Sequence, residues 1–237
     1  MVDVIVFGLN RFGEEIYNWL LNQADTTVQA LITHKTQYES VKKLEPELIV
    51  SAGFRFIIPE DVLEVPDLGA VNLHPSYLPY NKGANPNVWS IIDDVPAGVS
   101  VHYMTSEVDA GPLIGRKQVP VNPDDDGQSL YRRLEKAQIE LFKTHWPNIK
   151  AGTASSISTT ENGTHHYKHE FTDLFELDLD KKQKIGDTID LLRALTFPPY
   201  NNAYFKEDNK KYYVEIDIIA ESEVEETGSI HFNIPEY

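Results

Sequence analysis

The sequence contains no cysteine, which excludes disulfides, thiolate metal ligands and cysteine nucleophiles together and leaves the redox compartment unread. It also lacks any apolar run near the roughly 20 residues needed to cross a bilayer. Its start, MVDVIVFGLN, passes from an apolar run straight into a turn without a basic leader, so a cytoplasmic protein without a membrane partner is expected. Basic residues are scarce: 21 Lys and Arg face 37 Asp and Glu, a formal charge of −16. Such a field repels phosphate backbones, so no nucleic-acid partner is expected, while a small anionic ligand stays admissible where a few cations converge. The acidic runs NPDDDG at 122–127 and AESEVEE at 220–226 read as solvated faces or turns.

What is present suits a globular chain. Hydrophobic residues make up 41% of 237 positions, too many for a largely disordered protein and enough for one medium domain with a smaller appendage. Short β-branched runs alternate with amphipathic stretches through the first half, a pattern that predicts βαβ units around a mostly parallel, Rossmann-like sheet in an α/β domain over 1–150. VDVIVF, TVQALI, PELIVSAGF and GAVNLH read as strands, followed by GVSVHYM and LIGRKQVPV on either side of a loop containing EVDAGP. Ile16, Trp19 and Leu20 share one face of a helix after GLNRFG. A longer helix capped by Asp126 places Leu130, Leu134, Ala137 and Leu141 on a core-facing stripe. Residues 151–237 read as a small α+β region. SSISTTENGTHHYKHE suggests two polar strands around a hairpin at Asn162-Gly163. A helix follows near 181–196, and KYYVEIDIIAE alternates like an exposed strand.

The stretch NLHPSYLPYNKGANP at 72–86 carries the chemistry. Asn72 and His74, two apart on a strand, project to one side. The proline after His74 ends that strand, and in an open parallel sheet ligands gather outside the carboxyl ends of strands. Histidine is suited to proton transfer near neutrality, and an asparagine amide can donate to an oxygen that becomes negative; acyl transfer to an amine needs both. Asp109, in EVDAGP, is a carboxylate able to orient the imidazole, with Gly111 and Pro112 shaping its turn. By themselves an Asn and a His on a strand are more often hydrogen-bonded structural residues, and a lone Asp in such a loop is more often a turn residue.

NLHPSYLPYNKGANP together with GVSVHYMTSEVDAGPLI resembles the catalytic domain of formyltransferases that use 10-formyltetrahydrofolate, over roughly residues 1–150. The resemblance implies catalytic roles for Asn72, His74 and Asp109, and implies that SAGFRFIIP holds the pterin of the folate through Phe56, Ile57 and Ile58. It implies direct attack of an amine on the formyl carbon, with a folate co-substrate, no metal and no covalent enzyme intermediate. Known acceptors include glycinamide ribonucleotide, methionyl-tRNA and nucleotide-linked amino sugars. The short Glu-rich tail departs from the tRNA-formylating pattern, and GLNRFG departs from the Ser/Gly/Asn-rich phosphate turn of the glycinamide ribonucleotide enzymes. LLRALTFPPYNNAYF is similar to the sugar formyltransferases, so a dTDP-linked 4-amino-4,6-dideoxy sugar is the expected acceptor. The 3-amino isomer and a GDP-linked sugar are alternatives.

Residue chemistry extends the list on the acceptor side. Arg193 suits a pyrophosphate, and Phe197 or Tyr200 can stack on a base or sugar, with Asn201 beside them. A rigid interdomain turn with core aromatics explains FPPY as well. Lys82 suits an anionic acceptor or a plain exposed loop, and Asn10 faces a phosphate at a helix start or simply joins a strand to a helix. His165, His166 and His169 are close in sequence, but adjacent strand histidines point to opposite faces, which argues against zinc. The carboxylates at 124–126 suit helix capping better than magnesium. A homodimer is expected from the pairing surfaces of the tail. A transferase acting on tRNA or the purine precursor, a formyl-folate hydrolase, and a folate- or nucleotide-binding regulator without activity remain open.

Overall fold

The computed structural model describes residues 1–8, 10–158 and 163–221. In chain order it places β1 (Val2–Phe7), α1 (Arg11–Leu21), β2 (Thr26–Ile32), α2 (Tyr38–Leu44), β3 (Leu48–Ala52), α3 (Glu60–Leu63), β4 (Ala70–His74) and β5 (Lys82–Gly83). There follow α4 (Pro86–Ile92), β6 (Gly98–Tyr103), β7 (Leu113–Gln118), α5 (Gly127–Lys150), β8 (His165–His166), α6 (Lys168–Asp173), α7 (Ile185–Leu195), β9 (Tyr204–Glu207) and β10 (Lys210–Tyr213).

A six-stranded sheet runs β2-β1-β3-β4-β6-β7. The first four strands are parallel, β6 is antiparallel to β4, and β7 is antiparallel to β6. The expected Rossmann-like, mostly parallel α/β sheet is therefore the architecture observed. The chain passes from β1 outward to β2 and returns to β3 on the other side of β1, and that reversal opens a crevice at the carboxyl ends of the strands. The strands are apolar on both faces because helices cover both. Val4, Val6, Val50, Val71 and Leu73 pack against Ile16, Leu20, Phe142 and Trp146 of α1 and α5. Ile5, Phe7, Ile32 and Ile49 pack against Val41 and Val62 of α2 and α3.

α5 is capped as expected: Asp126 accepts from Ser129 N–H, and Leu130, Leu134 and Ala137 are buried. Asp125 is buried and pairs with Arg133, so two of the three neighbouring carboxylates serve the helix start. A third core joins α4 and α5 to α7 through Val88, Ile91, Leu130, Leu134, Ala194 and Leu195, with Phe171, Phe175 and Val214 against it.

Beyond residue 157 the structure departs from expectation. Residues 159–162 of the expected hairpin, including Asn162, lie outside the described residues, as do residues 222–226 of the acidic run. On its described side the hairpin reading is replaced: β8 pairs in parallel with β5, and Lys168–Asp173 is helical rather than extended. The two-residue edge 83 positions upstream has N–H groups that need partners, and residues 164–166 supply the carbonyls. The hairpin actually present joins β9 and β10 through Asp208 and Asn209, both with positive φ (47° and 61°), as a two-residue turn of the type I′ kind requires. The exposed strand stops at Tyr213 because its partner β9 has only four residues. Among the described residues no helix is long and apolar enough to cross a membrane.

Candidate active site

β4 delivers Asn72 and His74 to the carboxyl edge of the sheet, and β6 lies antiparallel beside it with His102 opposite Asn72 in register. The loop between β6 and β7 returns Asp109 to the same place. Asp109 sits at φ 51°, in a left-handed conformation that Asp tolerates better than most residues. Gly111 is needed two residues later because a Cβ there would meet the Tyr103 carbonyl oxygen at 1.8 Å.

The four side chains converge. Asn72 Nδ2 lies 3.4 Å from Asp109 Oδ1 and 3.3 Å from His102 Nε2. His102 Nδ1 donates to the Tyr103 carbonyl at 2.8 Å, so its Nε2 faces the cluster, 3.5 Å from Asp109 Oδ1. His74 Nε2 lies 3.5 Å from Asp109 Oδ2 and 3.3 Å from the Asn81 carbonyl. Gly83 N–H donates to Asp109 Oδ2 at 2.9 Å.

Electrostatics separates the titratable groups. His74 is 6% exposed; burial holds its pKa below the ordinary imidazole value of 6.5, with the His102 ring adding to this and the Asp109 carboxylate opposing it. Burial would raise Asp109, but His74, His102 and the Gly83 N–H outweigh it and hold the carboxyl below the usual range. Near neutral pH the site thus contains an ionised Asp109 and a neutral His74. Both neighbours of His74 Nε2 are acceptors, so the ring carries its hydrogen there and Nδ1 bears the lone pair.

A cavity of about 710 Å³ opens over this cluster, lined by Asn72, His74, His102 and Asp109 on its floor. Phe56, Ile57 and Ile58, expected from sequence to hold a pterin, line one wall with Phe54 and Met104. Tyr38 OH donates to the Ile57 carbonyl at 2.7 Å, and Ile58 is buried in the core beneath. Ile57 itself is exposed. A second, smaller cleft, lined by Phe12, Gly53, Pro75, Tyr131 and Gln138, also reaches Asn72 and His74.

The acceptor-side expectations are divided. Asn10 caps α1, accepting from Gly13 N–H at 3.0 Å, and its Nδ2 meets Tyr131 OH at 3.4 Å. Phe197 lies 5.7 Å from the Tyr131 ring, with Tyr200 6.0 Å beyond it. Tyr131 therefore joins Asn10, Phe197 and Tyr200 beside the smaller cleft. Burial, reinforced by Glu135, pushes its phenol pKa up, so it stays a hydroxyl donor. Lys82 lies on β5, where Gly83, Ala84 and Asn85 rather than Lys82 line the large cavity. Arg193 is turned inward: Nε meets Asp190 at 2.7 Å, and an Nη reaches the Asn122 and Asp125 carbonyls at 3.0 and 3.1 Å. Asn201 is exposed and lines neither cavity. Among the described residues no cluster of three or more His, Asp or Glu is placed to hold a metal ion.

Comparison with known proteins assigns this arrangement to a family. The family described as formyl transferase matches residues 7–145. The chain belongs to the formyltransferase family. The N-formyltransferase dimerization C-terminal domain matches residues 170–220. Over 156 residues this formyltransferase is 33% identical to the dTDP-4-amino-4,6-dideoxyglucose formyltransferase of Mycobacterium tuberculosis, covering 65% of this chain and 67% of that one. A 4-N formyltransferase from Francisella tularensis superposes with a TM-score of 0.86 at 26% identity, over 92% of this chain and 98% of that one. A formyltransferase from Anoxybacillus kamchatkensis, solved with UDP-4,6-dideoxy-4-formamido-L-AltNAc and tetrahydrofolate, matches at 29% identity and TM-score 0.63, over 72% of this chain and 88% of that one.

His102 and Tyr131 are the site residues that sequence reasoning passed over. His102 had a signal, as a polar residue in the apolar run GVSVHYM seven positions before Asp109. Tyr131 had little, since one aromatic on an amphipathic helix reads as core.

Proposed function

We propose that this formyltransferase moves the formyl group of 10-formyltetrahydrofolate onto the amino group of a nucleotide-linked amino-dideoxy sugar, with dTDP-4-amino-4,6-dideoxyglucose as the preferred acceptor. The observation that carries the reading is the convergence of a neutral buried His74, an ionised Asp109 and the Asn72 amide on one cavity floor. The relatives supply the acceptor class.

The cavity suits a flat heteroaromatic co-substrate. Its volume of about 710 Å³ falls in the range of small-molecule sites, and its wall at Phe54, Phe56, Ile57 and Ile58 is apolar. The smaller cleft leads the acceptor amine toward His74 from the side of Asn10, Tyr131, Phe197 and Tyr200. As the amine nitrogen bonds to the formyl carbon, His74 Nδ1 takes up its proton. The resulting imidazolium is held at Nε2 by Asp109 and the Asn81 carbonyl. Asn72 Nδ2, held only by contacts of 3.3 and 3.4 Å, exchanges one of them for the formyl oxygen as it becomes negative. The carbon–N10 bond then breaks, N10 is reprotonated, and tetrahydrofolate and the formamido sugar leave. The chain acts as a homodimer in the cytoplasm, with 151–237 as a region supporting the nucleotide-sugar site and the dimer contact.

The test is a turnover assay with 10-formyltetrahydrofolate against dTDP- and GDP-linked 3- and 4-amino sugars, read by product mass. A gain of one formyl group on the dTDP-4-amino sugar is the expected result. Formate release without acceptor consumption would overturn the transferase reading in favour of hydrolysis.

A further inference from the structure

No side chain of residues 164–166 moves a proton in the chemistry above, yet the segment is hydrogen-bonded to the loop that carries it. His165 and His166 line the large cavity, and His165 adds to burial and His102 in lowering the His74 pKa that Asp109 raises. Lys82 N–H donates to the Thr164 carbonyl at 3.0 Å, and Ala84 N–H to the His166 carbonyl at 2.9 Å. Alternate N–H groups of an extended segment point to opposite sides. Tying down residues 82 and 84 therefore turns the intervening N–H the other way, where Gly83 meets Asp109 Oδ2 at 2.9 Å. The fit is tight: Gly83 has φ 87°, and a Cβ there would meet the His166 carbonyl oxygen at 2.3 Å.

Thr164 clamps the start of the same loop. Its hydroxyl accepts from Asn81 N–H at 2.7 Å and donates to Asn81 Oδ1 at 2.9 Å. Asn81 is 1% exposed and left-handed at φ 52°, a conformation that its surroundings must hold in place. Its carbonyl is the one that faces His74 Nε2. The far end of the segment is anchored as well, because His166 stacks on Trp89 at 3.9 Å and meets Asp93 Oδ2 at 2.8 Å.

We infer that Thr164 is a positioning residue: through loop 81–84 it fixes the Asn81 carbonyl against His74 and the Gly83 N–H against Asp109, so that a segment outside the 1–150 region governs the proton chemistry of the site. This rests on the roles proposed for His74 and Asp109. Thr164→Val keeps the side-chain shape and removes the hydroxyl. Loss of the clamp lets water reach His74, which relaxes its pKa upward toward the ordinary value.

The experiment measures kcat, KM and the kcat–pH profile of Thr164→Val and Thr164→Ser in the full chain, alongside an NMR titration of the His74 ring. For Thr164→Val we expect kcat to fall about tenfold with both KM values within about twofold. The acidic limb and the His74 titration should both move to higher pH, and Thr164→Ser should restore all three. Wild-type kcat with an unmoved His74 titration would overturn the inference. So would a loss of kcat that serine fails to restore while His74 titrates as in the wild type. His74→Ala, run in parallel, separates the two levels: wild-type turnover in that variant overturns the proposed catalytic role, whereas the His74 titration still decides whether Thr164 sets its environment.

Discussion

At the scale of single residues, the proposed chemistry depends on where two protons sit. A buried imidazole that stays neutral below its ordinary pKa is a competent acceptor through the neutral range, and an ionised carboxylate beside it stabilises the cation formed on proton uptake. His74→Ala removes the acceptor, and Asp109→Asn removes the charge while keeping a side chain that tolerates the left-handed backbone at that position. We expect each to lower kcat by about 10²–10⁴-fold, the usual range for a general base and its partner. Nucleotide-sugar affinity should change little, as isothermal titration against the unreactive hydroxy-sugar analogue would show. The same burial sets the pH dependence. Because the folded-state pKa of His74 lies below 6.5, kcat should hold as pH falls through 6.5 and decline only below it. Stability follows the same direction. Below 6.5 the unfolded chain binds a proton that buried His74 refuses, and below about 3.8 it binds one that Asp109 refuses. Acidification therefore favours unfolding through both groups, and the denaturation midpoint should fall as pH is lowered from 7.

At the scale of elements, the site depends on loops whose backbones pass closer than side chains would allow. The β6–β7 loop carries Asp109 and turns back over β6 at Gly111, where a Cβ would overlap the Tyr103 carbonyl. Gly111→Ala must push the loop outward, and a misplacement of about 1 Å at the carboxylate can cost about 10²-fold in rate. A steady-state assay should show that loss in kcat; an unchanged kcat would mean the loop absorbs the methyl without moving Asp109. Much of this element was legible in sequence. Asn72 and His74 stand two apart before a strand-ending proline, and Asp109 stands in a Gly-Pro turn, so period and turn chemistry place all three near one strand end. The partner of β8 was not legible. Asn-Gly signals a local turn but carries no information about which distant edge the following strand will satisfy, and β5 is too short to announce itself. Conversely, the real hairpin used Asp208-Asn209, a turn without glycine inside a charged run, where the positive φ values have no glycine to mark them. The inward turn of Arg193 was also hidden: Asp190 is a local partner three residues before it, but the backbone carbonyls that complete its contacts belong to a loop 68 to 71 residues away.

At the scale of the whole molecule, the change of texture near residue 151 does not mark a break in the core. α7 contributes Ala194 and Leu195 to the cluster that also holds Val88, Leu130 and Leu134. Arg193 ties its end to the turn before α5. Asn87 Nδ2 in turn donates to the Gly127 carbonyl at 2.9 Å, which braces α4 against the start of α5 on the upstream side of that junction, where α7 packs. A region built this way unfolds with the sheet rather than before it. Leu195 is 2% exposed, and Leu195→Ala should cost about 2–5 kcal/mol through lost burial and the cavity left behind. The tryptophans report from both sides of the junction: Trp146 belongs to the sheet core, while Trp89 stacks on His166 of the downstream segment. In urea unfolding, single-tryptophan variants retaining one or the other should give coincident transitions, both shifted equally by Leu195→Ala. If the Trp89 reporter alone moved to lower urea, the downstream region would be a separately folding unit. The clamp at Thr164 would then open without loss of the sheet, and activity would disappear ahead of the core.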